Sequence, residues 1–194
     1  MKPCSTKFDV LVVGAGHAGI EAALISARRG GVVGLITLDL SAVGRMSCNP
    51  AIGGLAKGQM VREIDVLGGV MGLATDRSGI QFKILNRSKG KSVWSPRAQV
   101  DKRLYEKIVA SFVHKEKNIH LIEGEVVDVL IENCAISGVL LRGKHKIHAP
   151  TVILTCGTFL GGLIHVGQKK IRAEEIIWAK LDHVLRDRKR TNKR

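Results

Sequence analysis

Three glycines carry the clearest chemistry in this chain: Gly14, Gly16 and Gly19, in the run GAGHAG. Their G-x-G-x-x-G spacing is that of a turn built to hold the pyrophosphate of a dinucleotide. The first glycine permits a tight turn, the second lets a phosphate approach the backbone, and the third lets a helix pack close to a strand. With Ala15, His17 and Ala18 they form the candidate cofactor-binding set. The four cysteines, Cys4, Cys48, Cys134 and Cys156, stand far apart and form no C-x-x-C pair. They offer neither zinc-ligand spacing nor a disulfide framework, so a reducing, cytoplasmic setting is expected.

A glycine turn of this kind works only between a strand and a helix, and the sequence supplies both. Phe8 and Val10–Val13 read as a buried parallel strand, and an Ala-rich helix follows the glycines and ends at Arg28, Arg29 and Gly30. The helix N-terminus then offers free N–H groups and the positive end of its dipole to an anion. Val32 to Thr37 reads as the second parallel strand. Asp or Glu usually ends this strand and binds a ribose hydroxyl; here Thr37 stands there, with Asp39 two residues on, which argues against a generic nicotinamide dehydrogenase.

Ser41 to about Ala56 is too rich in Gly, Asn and Pro for a regular element and reads as a long functional loop. A helix is expected from about Leu55, with Met60, Val61, Ile64 and Leu67 on one face and Gly68–Gly69 as its stop. Next come a short helix over Val70–Ser78, a strand through Ile80, Phe82 and Ile84, and a basic loop over Asn86–Arg97. Gln99–Lys115 reads as an amphipathic helix with Val100, Leu104, Ile108 and Phe112 on its apolar face. Four short strands, at Ile119–Ile122, Val126–Ile131, Ala135–Leu141 and Lys146–His148, read as an antiparallel run. Thr151–Cys156 reads as a return strand ending beside the first glycine loop. The fold class expected is α/β: a Rossmann-like domain with a parallel sheet and a small antiparallel β segment.

Several of these segments resemble the N-terminal part of the MnmG (GidA) family: GAGHAGIEAA, GRMSCNPAIGGLAKGQMVREIDVLGG, GIQFKILNRSKG, PRAQVDKRLY and TCGTFLGGLIHVG. The resemblance runs from about Lys7 to Gly167. A related folate- and FAD-dependent tRNA methyltransferase family, TrmFO, is the alternative, and the S-C-N-P-A-I-G-G run favours the first. The resemblance implies an FAD-binding enzyme, reduced by NADH, that installs carboxymethylaminomethyl groups at C5 of the wobble uridine of certain tRNAs. It implies a homodimer working with the GTPase MnmE. By the same analogy Gly14–Gly19 hold the FAD pyrophosphate, Val126 lies at the adenine side, and the Gly44–Gly54 loop and Gly157–Thr158 border the flavin. Cys48, within that loop, is either a catalytic thiol near the flavin or a small thiol that packs. His17 either bonds a phosphate or the flavin, or fills space.

Net charge is +14, of which +6 lies in Lys169–Arg194. Such a balance favours an acidic partner, nucleic acid first. No apolar stretch approaches the ~20 residues of a membrane span. The expected division is an FAD-binding domain over 1–168, incomplete relative to the family, and a basic tail over 169–194. That tail reads either as an amphipathic helix or as the product of a frameshift or truncation. The alternative to an active enzyme is a non-catalytic FAD-binding fragment.

Overall fold

The computed structural model describes residues 7–46, 49–157, 163–166 and 169–172. In chain order the elements are β1 (Val10–Val13), α1 (His17–Arg28), β2 (Val33–Thr37), β3 (Ala51–Gly53), α2 (Lys57–Val66), α3 (Met71–Ser78), β4 (Gly79–Leu85), β5 (Ser95–Val100), α4 (Lys102–Lys115), β6 (Ile119–Glu123), β7 (Val126–Glu132), β8 (Ala135–Leu141), β9 (Lys146–His148), β10 (Thr151–Leu154), β11 (Leu163–Val166) and β12 (Lys169–Arg172).

The main sheet is parallel, in the order β10-β1-β2-β6. Its strands are apolar on both faces because both faces are covered. Successive side chains of β1 alternate between the two cores. Val12 joins Val33, Leu35 and the buried residues of α1 and α4, while Leu11 and Val13 join Ile36 and the β7–β9 residues Val139 and Leu141. Helix α1 buries Ile20, Ala23, Leu24 and Ala27, one stripe at helical spacing. Full burial of a Leu or Ile side chain such as Leu11 or Ile20 contributes ~1.5–3 kcal/mol each. The helix ends where Gly30, at φ 91°, takes a conformation that side chains rarely adopt. Two antiparallel sheets flank this frame, β3-β5-β4 and β7-β8-β9, and β11 pairs with β12 antiparallel. The α/β class with a parallel sheet and small antiparallel segments is therefore the observed one. The β11–β12 pairing crosses the 168/169 boundary, and residues 173–194 lie outside the described residues.

Several expectations need correction. Ile119–Glu123 is not part of the antiparallel run: β6 pairs in parallel with β2, Val33 opposite Ile119, because α4 carries the chain back across the sheet as a crossover. Gln99 and Val100 are not helical but end β5, and α4 starts at Lys102, where the Asp101 carboxylate accepts the Leu104 N–H at 2.9 Å. Its buried stripe is Tyr105, Val109 and Val113, one residue round from the expected Leu104, Ile108 and Phe112. The Asn86–Arg97 stretch is a loop only in its first part; from Ser95 it is β5, the middle strand of its sheet. Pro96, at its second position, has no N–H for the ladder, but its carbonyl accepts the Gly54 N–H at 2.8 Å. The Ser41–Ala56 loop likewise contains a strand, β3. In α2, Met60 and Leu67 are exposed. The Gly68–Gly69 stop is as expected: Gly68 sits at φ 86°, and Gly69 donates to Ile64 O at 2.8 Å.

Candidate functional site

The glycine turn lies at the carboxyl end of β1, between β2 and β10. Its backbone is fixed from three sides. Gly14 N–H donates to Ile36 O at 2.8 Å, Thr155 N–H donates to Val13 O at 2.9 Å, and Gly44 N–H donates to Ala15 O at 3.0 Å. The Thr155 hydroxyl reaches Val13 O at 2.8 Å and Gly14 O at 3.0 Å. Each glycine has a separate reason. Gly14 has φ 104°, and a Cβ there would lie 2.6 Å from Thr155 O. A Cβ at Gly19 would lie 1.8 Å from Gly14 O, so α1 sits closer to the strand than any side chain allows. At Gly16 a Cβ would meet nothing within 4 Å. The space beside Gly16 is thus open, while its two companions are fixed by packing.

That space faces the start of α1. The first intrahelical bond runs from Ile20 N–H to Gly16 O, so the amides of His17, Ala18 and Gly19 precede the ladder. Gly16 is the N-cap without a side-chain cap bond, and the first turn carries no acidic residue. An anion here meets unladdered N–H groups and a positive dipole end. The donor set suits a pyrophosphate. Gly157, at φ 66° with nothing within 4 Å of an added Cβ, follows Thr155 by two residues.

The structure brings Gly14, Ala15, Gly16, His17, Ala18, Gly19 and Gly157 together at this corner. His17 is half-buried with its ring 5.6 Å from that of Tyr105. Burial lowers its pKa, which keeps the imidazole neutral. Tyr105 is buried in α4, and burial, then the Glu21 charge, push its phenol up. Val126 stands apart, half-buried at the start of β7 and packed on the second core. It is tied to the sheet's carboxyl edge two residues earlier, where Gly124 N–H donates to Thr37 O at 2.9 Å. Cys48 and Thr158 lie outside the described residues. Asp39 is held by its own turn: its carboxylate accepts the Ser41 N–H at 2.8 Å and hydroxyl at 2.6 Å, and pairs with Arg45 at 3.3 Å. Those Ser41 bonds hold it below the usual carboxylate range. Thr37 Oγ1 donates to Asp39 O at 3.3 Å.

The supporting residues were harder to foresee. Thr155 was visible only as part of T-C-G-T. Glu21 accepts the Val70 N–H at 3.0 Å and the Met71 N–H at 2.7 Å, fastening the start of α3 to α1. The Glu106 carboxylate likewise accepts the Met46 N–H at 3.0 Å. Both acids are long-range partners with no local sequence signal. Among the described residues no cluster of His, Cys, Asp or Glu forms a metal site, and no helix is long and apolar enough to cross a membrane.

Comparison with known proteins agrees with this geometry. The family described as "Glucose inhibited division protein A" matches residues 9–192, a span that takes in most of the 169–194 tail. A protein of Chlorobaculum tepidum named "tRNA uridine 5-carboxymethylaminomethyl modification enzyme MnmG" is 58% identical over 160 residues, 82% of this chain and 26% of its own length. The protein of the same name from Phocaeicola vulgatus is 50% identical over 165 residues, 85% of this chain and 26% of its own. The crystal structure of Aquifex aeolicus GidA in crystal form II superposes with a TM-score of 0.82 at 45% identity, covering 91% of this chain and 31% of that one. A GidA-related protein from Thermus thermophilus, at 19% identity and a TM-score of 0.61, shares the fold; the match covers 92% of this chain and 68% of that one. The chain spans about 26% of the length of these curated relatives. It belongs to the glucose inhibited division protein A family.

Proposed function

We propose that this member of the family binds FAD and forms the cofactor-binding part of an enzyme that adds a carboxymethylaminomethyl group at C5 of a tRNA wobble uridine. The observation that carries the reading is the glycine turn, packed solid at Gly14 and Gly19 and open at Gly16. The amides of His17, Ala18 and Gly19 bond the FAD pyrophosphate, Gly14 shapes the turn, and Ala15 holds the turn through Gly44. The family resemblance assigns Val126 to the adenine side, and Gly157, Thr158 and the thiol of Cys48 to the flavin side. Bound FAD supplies two-electron redox chemistry, and NADH is its reductant. The enzyme acts in the cytoplasm as a homodimer together with the GTPase MnmE.

A second reading is an FAD-binding piece without turnover of its own, favoured by a span of about 26% of the relatives' length. One experiment separates the two. The purified chain is titrated with FAD by flavin fluorescence, then incubated with NADH, a methylenetetrahydrofolate donor and tRNA beside a full-length relative. FAD binding with modified uridine supports the enzyme; FAD binding without product selects the second reading. A folded chain that takes up no FAD refutes both.

A further inference from the structure

The β4–β5 hairpin has a charge pattern that the cofactor site does not use. Residues 79–100 contain Lys83, Arg87, Lys89, Lys91 and Arg97 and no Asp or Glu. Among the described residues the ion pairs are Arg45–Asp39 and Arg142–Glu125, so none of the five is neutralised by one. Two of them face each other: Lys83 and Arg97 are direct cross-strand partners. Like charges in that register repel, and an anion set between them removes the repulsion. Both also border a cavity of about 390 Å³ that Ile52, Phe82 and Ile84 line together with Asp65 and Asp76, so a phosphate is placed on the hairpin's exposed surface rather than inside the cavity.

The tip of the hairpin is built rather than loose. Asn86 at φ 59° and Gly90 at φ 98° turn the chain. The Asn86 side-chain amide donates to Val93 O at 3.4 Å, and Trp94 Nε1 donates to Arg87 O at 3.2 Å. Arg87, Lys89 and Lys91 are all exposed on this fixed tip. Lys83 lies within β4, while Arg87, Lys89 and Lys91 lie beyond its end at Leu85, so the cations are spread along the hairpin rather than gathered at one point.

We propose that the β4–β5 hairpin is a docking surface for the phosphate backbone of RNA, with Lys83 and Arg97 holding one phosphate and Arg87, Lys89 and Lys91 following the strand. A row of cations on a rigid tip matches a backbone of regularly repeating charges and reads no base sequence. The inference rests on the tRNA reading above and assigns a surface to it.

The test uses the full chain and fluorescently labelled unfractionated tRNA, with affinity measured by anisotropy across a salt series. The hairpin variant carries Lys83→Gln, Arg87→Gln, Lys89→Gln and Lys91→Gln. A control variant of equal charge carries Lys115→Gln, Lys117→Gln, Lys144→Gln and Lys146→Gln. Four lost phosphate contacts reduce the slope of log K against log salt by about 3, at ~0.7 per contact on a single strand. The control is expected to shift it by less than about 1. Equal shifts in both variants, or none in the hairpin variant while the parent chain binds tRNA, overturn the proposal and leave the tRNA reading standing. A parent chain that binds FAD but no tRNA at low salt removes both. Displacement of tRNA by polyglutamate at equal charge concentration assigns the surface to an acidic polypeptide and also overturns it. FAD binding and thermal unfolding matched to the parent show that the variant is folded.

Discussion

Alanine at Gly19 and alanine at Gly16 are the same change three residues apart, and the structure predicts opposite consequences. At Gly19 the new methyl would lie 1.8 Å from Gly14 O and 2.6 Å from Thr155 Oγ1. Carbon and oxygen rarely approach closer than ~3.3 Å, so α1 must retreat by about 1.5 Å from β1. The nearest obstacle is backbone and cannot rotate away. Overpacking of this kind costs ~1–3 kcal/mol, here at the upper end. The better helix propensity of alanine offsets ~1 kcal/mol, which leaves a net loss of about 2 kcal/mol. With a urea m-value near ~2 kcal/mol/M the midpoint falls by about 1 M. At Gly16 the backbone is at φ −77° and ψ −173°, open to any residue, and the methyl meets nothing. The stability loss there stays below ~1 kcal/mol, the difference between Gly and Ala as an N-cap. Its methyl occupies the space assigned to the pyrophosphate, so FAD affinity falls at least about tenfold, ~1.4 kcal/mol. Urea unfolding followed by circular dichroism and FAD titration by fluorescence, run on both variants, check this. If Gly16→Ala binds FAD like the parent, the cradle is misassigned; if Gly19→Ala unfolds at the parent's midpoint, the packing argument is wrong.

Thr155→Val keeps the shape but removes the hydroxyl that bonds Val13 O and Gly14 O. A loss of about 1 kcal/mol with an unchanged m-value is expected in urea, and no change in midpoint would discard the clamp. His17 gives a pH signature. Its folded pKa is below the usual 6.5 because of burial, so just below pH 6.5 the unfolded chain binds a proton that the folded chain does not. Stability from this residue is therefore complete above that value and declines as pH falls through it. Urea midpoints measured between pH 7.5 and 5.5 should fall more steeply for the parent than for His17→Gln, and parallel profiles would refute the buried neutral imidazole.

The glycine turn was legible because its signals are local. Strand, three glycines and helix lie within twenty-odd consecutive residues, and each glycine serves a distinct steric purpose that the spacing already implies. The same locality gave the Gly68–Gly69 stop and the return strand at Thr151. Non-local relations were lost. β6 reads like its antiparallel neighbours, since an apolar run of five does not reveal its partner. The α4 stripe was missed by one residue because Tyr105, a phenol, holds its first buried position. β5 was hidden by a proline tolerated near its start. Glu21 carries no local signal in the sequence, yet it caps a helix 49 residues further on.

The Thr155 clamp also sets an order of events. Its hydroxyl and the Val13 carbonyl are 142 positions apart in the chain. Closing so long a loop is slow compared with forming α1 or the β7–β8 hairpin, both of which are local. During synthesis at ~5–20 residues per second, Thr155 follows Val13 by on the order of 7–30 s. For that interval the glycine turn lacks its clamp and β1 lacks a neighbour on the β10 side. The nascent chain can hold α1 against β1 and β2, but the cradle takes its final shape only when the return strand arrives. The glycine turn is thereby completed late, only in chains that have brought Val13 and Thr155 together.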